Sequence, residues 1–213
     1  MTFSLEYTLY AKTLVGVLAI VNPLGAIPIF LSLCGDRSAL ERCQIARSSS
    51  IAVAVILIIS IWAGDGVLKF FGIGLPAFRA GGGLLILLMA ISMMHAKRSH
   101  AKQTPTEADE ADNKDNVAVV PLAIPLMAGP GAISLVIIDA HQLADWSGRV
   151  ILSGGVIAVA LIVWLALRLA APIGQRMGTT GLNIATRVMG LLLAAIGFQM
   201  LTSGIAKLLP GLA

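Results

Sequence analysis

Charge is scarce in this chain. Lysine, arginine, aspartate and glutamate make up 12% of its 213 residues, against roughly 25% in an ordinary soluble domain. With 57% hydrophobic residues and a mean hydropathy of +0.90, this excludes a soluble globular domain and points to a polytopic membrane protein. Cysteine is scarcer still. Cys34 and Cys43 stand alone, without a histidine cluster nearby, so no metal site is expected. Their place in or beside the first polar loop, read below as cytoplasmic, predicts free thiols. Gly-Lys-Ser/Thr is missing, which excludes P-loop nucleotide hydrolysis. So are His-Glu-x-x-His and a Gly-x-Ser-x-Gly elbow. No nucleophile–base pair appears, so the chain is read as neither an enzyme nor a cofactor protein. The net charge of +4 lies in short loops rather than in a basic stripe interleaved with aromatics, which argues against a nucleic-acid partner. No span holds several acidic residues or an arginine ladder, so neither a proton relay nor a voltage sensor is expected. The Met1–Ala11 segment carries Glu6 and has no basic start or small-residue cleavage site, so no cleaved signal peptide is expected.

What is present is a series of long apolar runs. Six spans can be read, at about Leu9–Leu33, Ser48–Gly64, Gly72–Met94, Val117–Ile138, Val150–Leu167 and Leu182–Leu208, each long enough to cross a bilayer. Loop charge orients them. The loops after spans one, three and five hold nine basic residues: Arg37, Arg42, Arg47, Lys97, Arg98, Lys102, Lys114, Arg168 and Arg176. The opposite side holds four: Lys12, Lys69, Arg149 and Lys207. The positive-inside rule then puts both termini outside the cytoplasm, on the periplasmic side. Residues 97–116 begin basic and turn acidic (Glu107, Asp109, Glu110, Asp112, Asp115), the composition of a flexible solvated linker. It separates two three-span halves, residues 1–96 and 117–213. An odd number of spans per half makes the halves antiparallel. The fold expected is an all-α membrane protein of six transmembrane helices, arranged as two inverted three-helix repeats with a broken first helix in each.

The breaks are the most informative feature. Asn22-Pro23-Leu24-Gly25-Ala26-Ile27-Pro28 and Gly129-Pro130-Gly131-Ala132-Ile133-Ser134 begin 107 residues apart. Each lies inside an uncharged run, Thr13–Gly35 and Val117–Ile138. The same offset pairs Gly74-Leu75 with Gly181-Leu182, Gly83-Leu84-Leu85 with Gly190-Leu191-Leu192, and Met93 with Met200. Within lipid, a broken helix is tolerated only where it faces protein or a wet cavity. A matched pair of interrupted spans is a pointer to a transporter's binding site. The N-terminus of a half-helix offers unpaired N–H groups and a positive partial charge to an anion. The candidate substrate-binding residues are therefore Asn22, Pro23, Gly25, Ala26, Gly129, Pro130, Gly131 and Ser134. Glycines there would admit a ligand to the backbone, and Asn22 and Ser134 would add hydrogen bonds. The plainer alternative is a proline kink.

Arg79 and Arg187 each lie near the start of a span. Arg79 aligns with Thr186, one residue before Arg187. Either arginine would serve carboxylate recognition or gating, or would snorkel to the interface. Asp65, Asp139 and Asp145 fall near span ends, where solvation is the ordinary fate, though Asp139 stands close enough to the second break for proton coupling. His95, His100 and His141 show no metal spacing. Trp62, Trp146 and Trp164 suit interfacial or packing roles.

Three blocks together carry a family resemblance: Asn22–Pro28, Leu75-Pro76-Ala77-Phe78-Arg79 with Gly82-Gly83, and Pro121–Ser134, with Arg187-Val188-Met189-Gly190 beside them. Over essentially the whole chain the sequence resembles the MarC family of bacterial and archaeal inner-membrane proteins. The resemblance implies a six-span protein of the cytoplasmic membrane, and transport of small neutral amino acids, a role described for some members. The leading expectation is thus a secondary transporter or exporter of such small solutes, set in the lipid bilayer and coupled to a proton or sodium ion. The alternative is a membrane scaffold or regulatory subunit that moves nothing. A homo-oligomer is compatible with the sequence and is not specified by it.

Overall fold

The computed structural model describes residues 2–34, 37–94, 127–143, 145–209 and 211. The 97–116 linker and the start of the fourth span, residues 117–126, lie outside the described residues. Those described are helical, with no strand among them. Seven helices follow in order: α1 (Thr2–Val21), α2 (Pro23–Cys34), α3 (Ala39–Phe70), α4 (Leu75–Met94), α5 (Pro130–Gln142), α6 (Trp146–Arg168) and α7 (Ala170–Leu208). Among the described residues, five segments are long and apolar enough to cross a membrane: Ala11–Cys34, Ala39–Phe70, Leu75–Met94, Trp146–Arg168 and Ala170–Leu208. Helix α5 has 13 residues, about 20 Å at 1.5 Å per residue, too short to cross a hydrocarbon core of about 30 Å alone.

Helices reach further into the polar segments than the hydropathy pattern indicates. α3 starts at Ala39, nine residues before the apolar run, so Arg42 and Arg47 are helical. The cause is local. Ser38 accepts from the Glu41 N–H at 3.3 Å, and its own N–H donates to the Glu41 carboxylate at 3.0 Å, a reciprocal capping box that closes the first turn. Likewise α7 takes in the expected loop around Arg176. Only Gly178 departs from helical geometry there (φ 62°, ψ 178°), dividing a short arm from the main span.

Packing depends on small residues, because lipid gives helices no hydrophobic reason to associate. α4 and α7 run antiparallel and touch backbone to backbone. A Cβ at Gly83 would lie 2.4 Å from the Leu201 nitrogen, one at Gly197 2.8 Å from the Gly83 carbonyl oxygen, and one at Gly204 2.6 Å from the Ala80 nitrogen. α3 pairs with α6, where the Trp62 indole N–H donates to Ser153 at 3.2 Å. Ser50, Ser60 and Ser153 donate to carbonyls one turn back, at 2.8 Å each, which satisfies their hydroxyls without water. The core holds Ile27, Phe30, Leu57, Ile86, Ile138 and Leu193. Large apolar side chains such as Ile59, Leu88, Leu161 and Leu191 are exposed instead, as a lipid-facing surface requires.

Candidate functional site

The first break is a single residue. Asn22 has φ +48°, the left-handed region that asparagine tolerates better than most residues. Its N–H donates back to the Leu18 carbonyl at 3.0 Å, and its carbonyl accepts from Ala26 at 3.2 Å. Asn22 thus closes α1 and opens α2 at once. Its side-chain oxygen accepts from the Gly25 N–H at 3.1 Å, an N-cap. Its amide nitrogen approaches the Met93 sulfur at 3.6 Å. Pro23 holds the first helical position, where a missing N–H costs nothing. The space over Gly25 is filled by this cap: a Cβ there would lie 2.3 Å from the Asn22 side-chain nitrogen.

The second break repeats the opening backbone bond but neither the left-handed angle nor the cap. Ile133 donates to the Gly129 carbonyl at 3.1 Å, the same bond 107 residues on, and Pro130 again holds the first position. Gly129 (φ −71°, ψ 176°) has no side chain with which to cap α5, and no side-chain cap is made. α5 then packs on α4. A Cβ at Gly131 would meet Ile86 at 2.4 Å, and one at Gly82 would meet the Ser134 hydroxyl at 2.6 Å. Ser134, like Asn22, is buried.

One turn further along the α4–α5 seam the packing opens. A cavity of about 150 Å³ lies between α4, α5 and α7, with Arg79, Asp139, Gln199 and Ser203 as its polar lining. Leu135, Ile138 and Met200 form its apolar wall. Asp139 is buried, at 9% exposure, and its Oδ2 has no hydrogen-bond partner among the described residues. The polar groups acting on its carboxylate are the Thr13 hydroxyl of α1 and the Arg79 guanidinium. Gln199 is exposed and Arg79 half-buried, so the cavity opens on the Gln199 side.

The sequence-derived candidates therefore divide. Ser134 and the Gly129–Gly131 turn lead along one seam to Arg79, while Asn22 and Gly25 occupy each other. Arg187 is exposed and stands about 18 Å from Gln199 along α7, twelve residues at 1.5 Å each; it does not line the cavity. Gln199, Ser203 and Thr13 were not legible as site residues. The available signal was the Gln199/Ser203 pair, polar residues four apart on one face of an apolar helix.

A second polar cluster ties the same end of the bundle together. His141 Nδ1 lies 2.9 Å from Asp65 Oδ1, and Arg149 Nη2 lies 3.7 Å from Asp65 Oδ2. Asp65, expected to be merely solvated, thus joins α3 to α5 and α6 through His141 and Arg149. Trp62 and Trp146 meet edge to face at 4.7 Å beside them. Ser147 donates to Asp145 and holds that carboxyl below the usual carboxylate range. Cys34 and Cys43 are free thiols.

The chain matches the family described as "MarC family integral membrane protein" over residues 7–209. It is 38% identical over 207 residues to an UPF0056 membrane protein of Buchnera aphidicola from Acyrthosiphon pisum, covering 97% of this chain and 96% of that one. It is 39% identical over 210 residues to the UPF0056 membrane protein YhcE of Escherichia coli K12, with the same coverages. It is 37% identical over 205 residues to an UPF0056 membrane protein of Pyrococcus horikoshii, covering 96% and 94%. No solved structure matches the chain. A bundle of apolar helices, a family match over nearly its whole length and relatives of equal length agree: the chain belongs to the MarC family of multi-pass integral membrane proteins.

Proposed function

We propose that the protein is a secondary transporter of small neutral amino acids, or of similar small amphoteric solutes, across the bacterial cytoplasmic membrane. The observation that carries this reading is the pair of half-helices. Asn22 and Gly129 open helices with the same backbone bond, 107 residues apart, inside apolar spans where a break is tolerated only beside protein or water. The seam between the second half-helix and α4 leads into a cavity lined by both charge signs. Such a cavity suits a solute that is neutral overall and charged at both ends.

In this reading the chain is two inverted three-helix repeats, with α5 the second half of a sixth span and both termini periplasmic. The solute would pass the Gly129–Ser134 segment, whose helix N-terminus carries no side-chain cap. Asn22, Pro23, Gly25 and Ala26 form the matching element of the other half. Arg79 serves carboxylate recognition. Arg187, about three turns along α7 from the cavity, would serve only as a gate apart from it. A proton or sodium gradient supplies the driving force.

The test is counterflow of labelled glycine and alanine in proteoliposomes of the purified protein, with no gradient, a proton gradient and a sodium gradient. Saturable flux that falls at least tenfold in Ser134→Val is expected. Folded protein with no flux of either solute under any gradient would overturn the reading.

A further inference from the structure

We propose that the cavity between α4, α5 and α7 is a zwitterion site, in which Asp139 holds the ammonium group of a small amino acid and Arg79 its carboxylate. The choice of ligand class rests on the transporter reading above; the residue assignment rests on geometry. Two opposite charges line one small cavity, yet no ion pair within 4.0 Å joins them among the described residues. Asp139 is more than nine-tenths buried, and its Oδ2 is without a partner. A buried carboxylate oxygen left unsatisfied is costly, and the Thr13 hydroxyl beside that carboxylate leaves the second oxygen still open.

The charge balance selects the ligand. A simple cation drawn to Asp139 would also face Arg79, and a simple anion drawn to Arg79 would face Asp139. At low local dielectric each like-charge approach is strongly unfavourable. A molecule with an ammonium and a carboxylate on one carbon satisfies both walls and adds no net charge. Arg79 presents a planar fork that fits a carboxylate. Gln199 and Ser203 stand at the rim as further hydrogen-bonding groups. Size selects too. A protein cavity of about 150 Å³ accommodates benzene, about six heavy atoms, which is the size of alanine. With Leu135, Ile138 and Met200 as the apolar wall, the space fits a hydrogen, a methyl or a hydroxymethyl side chain.

Titration calorimetry on the full chain in detergent tests this, using glycine, L-alanine, glycine methyl ester, N-acetylglycine and L-phenylalanine. Glycine and alanine are expected to bind at least tenfold more tightly than the other three. Asp139→Asn is expected to weaken glycine at least tenfold while leaving N-acetylglycine, which has no ammonium, unchanged. Arg79→Gln is expected to weaken glycine and leave glycine methyl ester, which has no carboxylate, unchanged. Asp139→Glu should recover part of the glycine affinity. A merely structural role would weaken all ligands alike, and that result, or glycine binding unaltered in Asp139→Asn, would overturn the assignment. Equal affinity of the wild type for glycine and its two blocked forms would overturn it as well. Flux separates the two proposals. Glycine counterflow with Asp139→Asn binding unchanged removes the clamp and leaves the transporter. The crossed binding pattern without any flux keeps the clamp and removes the transporter.

Discussion

Asn22 does three jobs with one side chain and one backbone angle: it ends α1, caps α2 and covers Gly25. These can be separated by substitution. Asn22→Gly keeps the positive φ and, on the usual scale of caps, loses only a few tenths of a kcal/mol. Asn22→Ala loses the cap, about 1 kcal/mol, and also sets a Cβ-bearing residue without a local hydrogen bond at φ +48°. The expected order of thermal stability in detergent is wild type, then Asn22→Gly, then Asn22→Ala. Equal melting of the two variants would show that φ +48° costs alanine nothing, and an Asn22→Gly protein as stable as wild type would show that the cap contributes nothing. The polar residue at this break was legible in the sequence; its use was not. Whether an asparagine serves a ligand or its own helix depends on a rotamer, and no spacing rule carries that information. Gly25 was read as room for a ligand because glycine looks the same from the sequence whichever neighbour it admits.

At the scale of elements, neighbouring glycines differ in sign. Gly81 and Gly83 are two residues apart on α4. A Cβ at Gly81 meets nothing within 4 Å, whereas one at Gly83 runs into the α7 backbone. Gly81→Ala should therefore be neutral, or stabilising by up to about 1 kcal/mol through helix propensity. Gly83→Ala should destabilise by about 1–3 kcal/mol, the usual cost of overpacking. Thermal unfolding of both in one detergent checks the pair, and a Gly83→Ala protein as stable as wild type would contradict the backbone contact. Within the small-residue run Ala80-Gly81-Gly82-Gly83, Gly82 and Gly83 are the glycines that close packing requires. The helix ends were less legible than the helices. Hydropathy reports where lipid begins, while the Ser38–Glu41 box and the Gly178 turn decide where the helices begin and divide. The cavity was the least legible element. Arg79, Asp139 and Gln199 come from three helices far apart in sequence, and each polar residue alone reads as an interfacial one.

For the whole molecule, the testable statement is orientation. Cys43 lies in the first turns of α3 and is half-buried, whereas Cys34 is buried at the end of α2. In the orientation proposed above, this end of the bundle faces the cytoplasm. A membrane-impermeant maleimide should therefore label Cys43 in inside-out vesicles and leave it unlabelled in intact spheroplasts, with Cys34 protected in both. Labelling from outside the cell would invert the assignment of both termini. The membrane class was fully legible, because a bilayer acts on average composition, which a sequence states outright.

The close approach of α4 and α7 has a mechanical result. Where Gly83, Gly197 and Gly204 bring backbone against backbone, no side chain remains to change rotamer and let one helix slide past the other. The two helices form one plank, and the plank carries Arg79, Gln199 and Ser203 together. Asp139 alone among the polar lining rides on a different body, the short helix α5, whose far end is latched to α3 and α6 through His141 and Asp65. Widening the cavity would therefore require α5 to shift against the α4–α7 plank, and that shift would strain the His141–Asp65 contact at its far end.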